Sequence, residues 1–151
     1  KKEETRKMRK INKFIIHCSA TREGQAIDLE TIRDWHVKER GWSDIGYHYL
    51  VHIDGTISQG RLHSVAGAHT KGENQESLGI CYIGGVELDG KTPKDTRTCS
   101  QADSLEALLY SLKAMYPGAK VHGHRDFSAK ACPSFDATKE FDDISNLFNH
   151  F

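Results

Sequence analysis

Two histidines, a lysine and a cysteine lie close together in one polar segment near the C-terminal end of the chain. The segment HGHRDFSAKACPSFD spans residues 122–136, and its reactive side chains are those of His122, His124, Lys130 and Cys132. Imidazole nitrogens and thiolates bind zinc, and a thiol can also act as a nucleophile. The segment therefore permits three interpretations: an ordinary loop, a cysteine nucleophile, or part of a metal site.

Another histidine ends an apolar run near the N-terminus. His17 closes the run NKFIIH, where a polar imidazole needs a partner or a function, although alone it is more often a structural histidine. Cys18 points to the other face of a strand, so we assign it to the core. His17, His124 and Cys132 together supply two neutral nitrogens and one thiolate. Three protein ligands with a fourth position left for water are typical of a catalytic zinc site.

The residues alone leave two questions open: whether Cys132 is a nucleophile or a metal ligand, and whether the second histidine of the site is His122 or His124. Pro133 favours extended backbone at Cys132, which argues against a helix N-terminus, a common means of lowering a thiol pKa. A metal would deprotonate the thiol without that help. His122 lies two residues before His124, so both could face the same side of a strand, and composition does not choose between them.

Alternating strands and helices must bring these distant segments together. The segments with the apolar patterns of strands are 12–20, 46–61, 78–86 and 119–124. The segments with helical spacing behind a capping residue run from Asp28 to about Arg40, from Ser100 to about Tyr116, and from Asp136 to Phe151. The order β-α-β-β-β-α-β-α predicts an α/β fold with one mixed sheet covered by helices.

The segment 46–61 has the clearest local pattern. Asp54 and Gly55 form a dipeptide that tolerates positive φ, which predicts a β-hairpin. Alternation along the first strand places one set of side chains on a common face: Tyr47, Tyr49, Val51 and Ile53.

The bulk composition indicates one globular domain. The chain has 151 residues, of which 37% are apolar and 28% charged. Its 21 basic and 21 acidic residues give no net charge, which argues against a nucleic-acid partner bound by bulk electrostatics. No apolar run is long enough to span a membrane, and no signal-peptide core follows the N-terminal charges. We expect a monomer without a membrane partner.

The N-terminal segment differs from the remainder of the chain. Residues 1–10, KKEETRKMRK, carry six basic and two acidic side chains. We predict a disordered basic tail over 1–10 and a single folded domain over 11–151, with a polybasic anchor as the alternative for the tail. The four cysteines are widely spaced, which does not indicate a disulfide scaffold.

Five blocks, in order from about residue 11 to 140, carry a resemblance to a known family. They are HCSAT, GWSDIGYHYLV, DGTISQGR, AGAHTKGENQESLGICYIGG and KACPSFD. The chain resembles the zinc-dependent N-acetylmuramoyl-L-alanine amidases, which include the amidase lysozyme of T-odd bacteriophages and the peptidoglycan recognition proteins. The resemblance implies a three-layer αβα fold and cleavage of the amide between the lactyl group of N-acetylmuramic acid and L-Ala of the stem peptide.

The same resemblance assigns roles to individual residues. It implies a Zn²⁺ cofactor bound by His17, His124 and Cys132. It also implies that Tyr47 is the catalytic tyrosine and that Lys130 is the lysine used by the phage branch. The segment GHRDF around His124 departs from the phage branch and is similar to other amidases.

These residue types suit amide hydrolysis. Zinc lowers the pKa of a bound water towards about 7 and polarises the scissile carbonyl. The ammonium of Lys130 or the phenol of Tyr47 would stabilise the oxyanion, and Tyr47 could also orient or deprotonate the water. Without the resemblance, Tyr47 would be interpreted as a core aromatic and Lys130 as a solvated loop charge.

The polar loop at 63–77 is the predicted substrate contact. In the family, the corresponding loop borders the substrate groove, so we expect the loop's side chains to bind substrate: His69, Thr70 and Asn74. His69 could also act in the transition state, and the alternative for it is an ordinary surface histidine.

Three other functions compete with the amidase hypothesis. The first is a recognition module that binds muropeptide without cutting it, but such relatives typically lack the cysteine ligand that Cys132 matches. The second is a regulatory protein, because the phage relative also binds an RNA polymerase. The third is a cysteine peptidase of the cell wall, which a chelator would not inhibit. Peptidoglycan is the expected partner of the amidase, so we expect the protein to act at the cell wall, in the periplasm, outside the cell or after release from a phage.

Overall fold

A mixed β-sheet forms the centre of the fold. The structure is a computed structural model that describes residues 9–148. The strands described, in chain order, are β1 (Lys13–Cys18), β2 (Thr21–Arg22), β3 (Tyr49–Val51), β4 (Ile57–Gln59), β5 (Ser77–Tyr82), β6 (Gly85–Val86) and β7 (Lys120–Gly123). Five of them form the central sheet in the order β4-β3-β5-β1-β7, and β2 pairs with β6 separately. Only the β3–β4 hairpin is antiparallel within the central sheet, so the predicted mixed sheet is confirmed.

Helices cover both faces of this sheet. They are α1 (Leu29–Asp34), α2 (Cys99–Met115), α3 (Ala137–Glu140) and α4 (Asp142–Ser145). A π-type turn at Trp35–Glu39 continues α1, and 3₁₀ turns lie at Asn74–Glu76 and His124–Asp126. Phe14, Leu78 and Leu109 belong to the larger apolar cluster, which holds α2, α3 and α4 against one face. Ile32 of α1 packs on the other face with Leu50 and Cys81. The αβα layering implied by the resemblance is therefore confirmed.

Capping side chains begin the helices, and one of the predicted caps was wrong. Asp28 and Asp136 accept hydrogen bonds from the backbone N–H groups three residues later, as predicted. The cap of α2 is Thr98 rather than Ser100. The Thr98 hydroxyl accepts from Gln101 N, and the Gln101 carboxamide accepts from Thr98 N. This reciprocal pair satisfies two backbone donors at once, which explains why the helix begins two residues earlier than expected.

The predicted alternation along the hairpin was also wrong at its ends. Tyr49 and Val51 lie on the side of the larger cluster, whereas Tyr47 and Ile53 pack on the α1 side. The reason is that β3 is only three residues long, so the period of two does not extend to positions 47 or 53. Tyr47 consequently lies on the same face of the sheet as α1.

The folded part of the chain extends further towards the N-terminus than predicted. Arg9, assigned to the tail, is half-buried, and its guanidinium donates to the carbonyls of His63, Asn74 and Ser77. The prediction of a free tail is therefore wrong at position 9. Residues 1–8, and the predicted helix end at 149–151, lie outside the described residues. Within 9–148 no helix combines the length and apolarity that crossing a membrane requires.

Candidate metal centre and adjoining cleft

Three ligand-bearing side chains meet at the C-terminal end of β1. The ligand atoms of His17, His124 and Cys132 all lie within 4.8 Å of one another. His17 Nδ1 is 3.9 Å from Cys132 Sγ, and the ring centroids of His17 and His124 are 4.6 Å apart. The structure therefore brings His17 together with two residues that lie more than a hundred positions later in sequence.

Strand register explains how the two histidines meet. In the parallel β1–β7 pair, Ile16 lies opposite Gly123, so His17 and His124 follow at the same edge of the sheet. His122 instead lies opposite Ile15, with its Nδ1 3.7 Å from an Asp126 carboxylate oxygen. The strand ends at Gly123 and a 3₁₀ turn begins at His124, so the period of two no longer relates the two histidines. His124 is the one placed beside His17.

Cys132 reaches the site through a returning loop that is anchored to neighbouring strands. The Tyr82 hydroxyl donates to the carbonyl of Pro133, and the Ser134 hydroxyl donates to the carbonyl of Gly85. The backbone N–H of Cys18 donates to Cys132 Sγ at 3.1 Å. These contacts hold the thiol at the end of β1.

The electrostatics favour a bound cation over a free nucleophilic thiol. Burial, with His69 and His124 nearby, lowers the pKa of His17 well below its ordinary value, so its ring is neutral. The Cys18 thiol and burial raise the pKa of Cys132. A neutral imidazole does not supply the positive charge that lowers the pKa of a catalytic cysteine. Two neutral nitrogens and one sulfur do fit a divalent metal that would stabilise the thiolate.

Tyr47 borders this cluster on the α1 side. Its ring centroid lies 5.1 Å from that of His17 and 5.5 Å from that of His36. Burial, and secondarily the neighbouring thiols, raises the pKa of Tyr47 well above its ordinary value. The phenol therefore stays protonated and can donate a hydrogen bond.

A cleft of about 510 Å³ opens beside the cluster. His124 and Lys130 line it, together with Arg40 and Lys71. Among the described residues that line the cleft there is no carboxylate, so its charged side chains are cationic. A second cleft, of about 610 Å³, lies by the β3–β4 turn and contains none of the predicted site residues.

The sequence comparison decides the family. Residues 7–135 match the protein family described as N-acetylmuramoyl-L-alanine amidase. The chain belongs to this amidase family. It is an enzyme that cleaves an amide of peptidoglycan, as the resemblance implied.

Individual relatives support the assignment of this chain to the amidase family. The endolysin of Escherichia phage T7 is 44% identical over 123 residues, which cover 82% of this chain and 80% of the phage protein. The peptidoglycan-recognition protein SC2 of Drosophila melanogaster is 31% identical over 133 residues, covering 86% and 68% of the two chains. The solved structure of the endolysin N-acetylmuramoyl-L-alanine amidase LysCS from Clostridium intestinale is similar with a TM-score of 0.75 and 29% identity, covering 92% of this chain and 84% of that one.

The amidase holds the predicted substrate-binding residues close to His17. Thr70 is only 2% exposed, and its hydroxyl oxygen lies 3.2 Å from His17 Nε2. His69 is nearer still, with Nδ1 at 2.9 Å from His17 Nε2. Asn74 accepts the backbone N–H groups of His69 and Thr70 through its side-chain oxygen. All three line the cleft, and contact with substrate stays a prediction for each.

Two further histidines that were not among the predicted site residues support the site: His36 and His48. His36 packs against Trp42 and Tyr47, and its Nδ1 accepts from Gly46 N. His48 is fully buried and accepts from Gly79 N. His36 lies outside the quoted family blocks and His48 lies inside GWSDIGYHYLV, but one sequence gave no indication of the contacts that either side chain makes.

Proposed function

We propose that this amidase hydrolyses the bond between the lactyl group of N-acetylmuramic acid and L-Ala with one Zn²⁺ held by His17, His124 and Cys132. The observation that carries the proposal is the convergence of these three ligand atoms within 4.8 Å. Nitrogen and thiolate donors suit zinc, and three protein ligands leave one position for water. Bound zinc would supply a Lewis acid that activates this water and polarises the scissile carbonyl.

The remaining chemistry is assigned to two side chains beside the ligands. Tyr47 is proposed to donate its phenolic hydrogen to the developing oxyanion, because its raised pKa disfavours a phenolate base. The ammonium of Lys130 is exposed on the cleft wall that also contains His124. There it would add positive charge next to the reacting carbonyl.

The cleft is proposed to hold the stem peptide. Its described lining carries Arg40, Lys71 and Lys130 without a carboxylate, which favours a ligand with acidic groups. The loop with His69, Thr70 and Asn74 forms one wall, which supports the proposal that it borders the substrate. The ligands come from one chain, so we propose that a monomer acts on the cell wall.

Digestion of purified sacculi tests this function. We expect wild-type protein to release stem peptides that begin at L-Ala while the glycan strands stay intact, as read by mass spectrometry. Cys132→Ser should abolish release and lower the zinc content. Cys99→Ser is the matched control, because Cys99 is exposed at the start of α2, and it should retain activity.

Each competing function predicts a different product or inhibitor. Reducing sugar ends without free peptides would indicate a glycosidase. Binding to sacculi without cleavage would indicate a recognition module. Cleavage that survives chelation but is lost on thiol alkylation would indicate a cysteine peptidase and would refute the zinc mechanism. Loss with a chelator and recovery with zinc would support it.

A further inference from the structure

The outer nitrogen of His17 faces a second imidazole. His17 Nε2 lies 2.9 Å from His69 Nδ1, and the planes of the two rings are nearly perpendicular. Metal-binding histidines usually donate their second ring N–H to a carboxylate, a backbone carbonyl or water. Two neutral imidazoles can pair only if one nitrogen carries the hydrogen and the other accepts it.

A chain of contacts behind His69 determines which nitrogen donates. The Ser77 hydroxyl donates its one hydrogen to the carbonyl of Glu73 at 2.8 Å. The Ser77 oxygen can then only accept from His69 Nε2, which lies 3.4 Å away. His69 Nε2 therefore carries the ring hydrogen, and His69 Nδ1 is left as the acceptor. It follows that His17 donates through Nε2 and keeps the Nδ1 lone pair on the side of Cys132.

Thr70 is consistent with the same direction. Its hydroxyl lies 2.9 Å from His69 Nδ1 and 3.2 Å from His17 Nε2. A hydroxyl in this position donates to the unprotonated nitrogen and accepts from the protonated one. Because His69 Nδ1 has a single lone pair, the His17 Nε2–H and the Thr70 hydroxyl share it, and hydrogen on His17 Nε2 is compatible with all three distances.

Close packing fixes the position of the His69 ring. A Cβ atom at Gly79 would come within 2.5 Å of the His69 ring, and one at Gly67 within 2.6 Å. The backbone of His69 is fixed as well, because its N–H donates to the Asn74 side chain. Arg9 in turn donates to the carbonyls of Asn74 and Ser77. The ring is therefore held in a slot that the surrounding fold builds.

We propose that His69 is a positioning residue that accepts the Nε2 hydrogen of His17 and holds its Nδ1 towards His124 and Cys132. The inference rests on the proposed metal site. It differs from the predicted role of His69 in substrate binding, because the contact made by His69 is to a ligand. The partners of metal-bound histidines typically change metal affinity by about 10–100-fold when they are removed.

Zinc affinity of matched variants tests the role. His69→Leu removes the acceptor and should weaken zinc binding by about 10–100-fold, measured by competition with a chromophoric chelator. His69→Asn keeps an oxygen near the position of Nδ1 and should restore most of the affinity. His52→Leu is the control, because His52 bonds Ser58 by the β3–β4 hairpin, and it should bind zinc like the wild type. Wild-type affinity in His69→Leu would overturn the proposal.

Nitrogen NMR of the metal-free wild type gives a readout that needs neither activity nor a variant. The ring ¹⁵N shifts should report hydrogen on Nε2 of both His17 and His69. Hydrogen on Nδ1 of His69 would overturn the proposal even if His69→Leu fails to fold. Absence of zinc binding by wild-type protein would refute the metal site itself, whereas the ring-nitrogen result would still decide whether His69 orients His17.

Discussion

Replacement of Tyr47 by phenylalanine separates a catalytic phenol from an ordinary core aromatic. The substitution removes one hydroxyl and keeps the ring that packs 5.1 Å from His17. Because the pKa of Tyr47 is raised by burial, the lost group is a neutral hydrogen-bond donor. Removing one donor to an oxyanion costs about 10²–10³-fold in kcat, or about 2.7–4 kcal/mol of transition-state stabilisation.

We expect Tyr47→Phe to lower kcat on soluble muropeptide by about 10²–10³-fold, with little change in KM, zinc content or Tm. Tyr49→Phe provides the matched control. Tyr49 lies two residues later on the opposite face of the sheet, and its hydroxyl lies 2.5 Å from His63 Nε2. Its loss should cost about 1 kcal/mol of stability and leave kcat unchanged.

The assay is release of L-Ala-terminated peptide, followed by mass spectrometry under saturating substrate. Activity of Tyr47→Phe within about twofold of wild type would refute the reasoning, since even the low end of the range is about 10²-fold. In that case Tyr47 would be a packing residue, as its position in an apolar strand first allowed.

Three further outcomes follow from buried contacts. Gly79→Ala should overpack the space beside the His69 ring, lower the free energy of unfolding in urea by about 1–3 kcal/mol and weaken zinc binding. Gly118→Ala is the control, because Gly118 has open space around it, and it should change neither stability nor zinc binding. Burial lowers the pKa of His48 to about 4, so on acidification the unfolded protein binds a proton at a higher pH than the folded protein does. The free energy of unfolding of the metal-free protein should therefore be full above pH 6.5 and fall by about 2–3 kcal/mol as the pH drops towards 4.5. A urea midpoint that stays constant between pH 7.5 and 4.5 would contradict this. Arg97→Met should lower the free energy of unfolding by about 1–3 kcal/mol and reduce Tm. The reason is that the Arg97 guanidinium pairs with Glu140 and lies 3.5 Å from the centre of the Phe135 ring. An unchanged Tm would show that these contacts are energetically neutral.

Much of the local structure could be predicted from sequence, because its causes are local. Asp28 and Asp136 cap their helices through side chains that reach backbone donors three residues away. The dipeptide of Asp54 and Gly55 makes its turn, with φ of +89° at the glycine. The error at Ser100 was also local, since the Thr98–Gln101 pair lay two residues earlier in the same sequence.

The candidate ligands were predictable as residue types but not as a set in space. His17 and Cys132 lie in blocks that resemble the amidase family, and the choice of His124 over His122 rested on the resemblance alone. The structure gives the physical reason for His124 over His122, because β7 ends between them and the chain turns there. Strand length is set by pairing with β1, which is more than a hundred residues away.

The sequence by itself therefore determined two of the helix caps, the hairpin turn, the family and the chemical groups available for hydrolysis. The tertiary structure decided which side chains share one site. It placed Tyr47 on the α1 side and His69 against His17, and it joined Arg9 to the loop that carries His69. These placements depend on register between distant strands and on close packing across the sheet, and neither is encoded in the spacing of neighbouring residues.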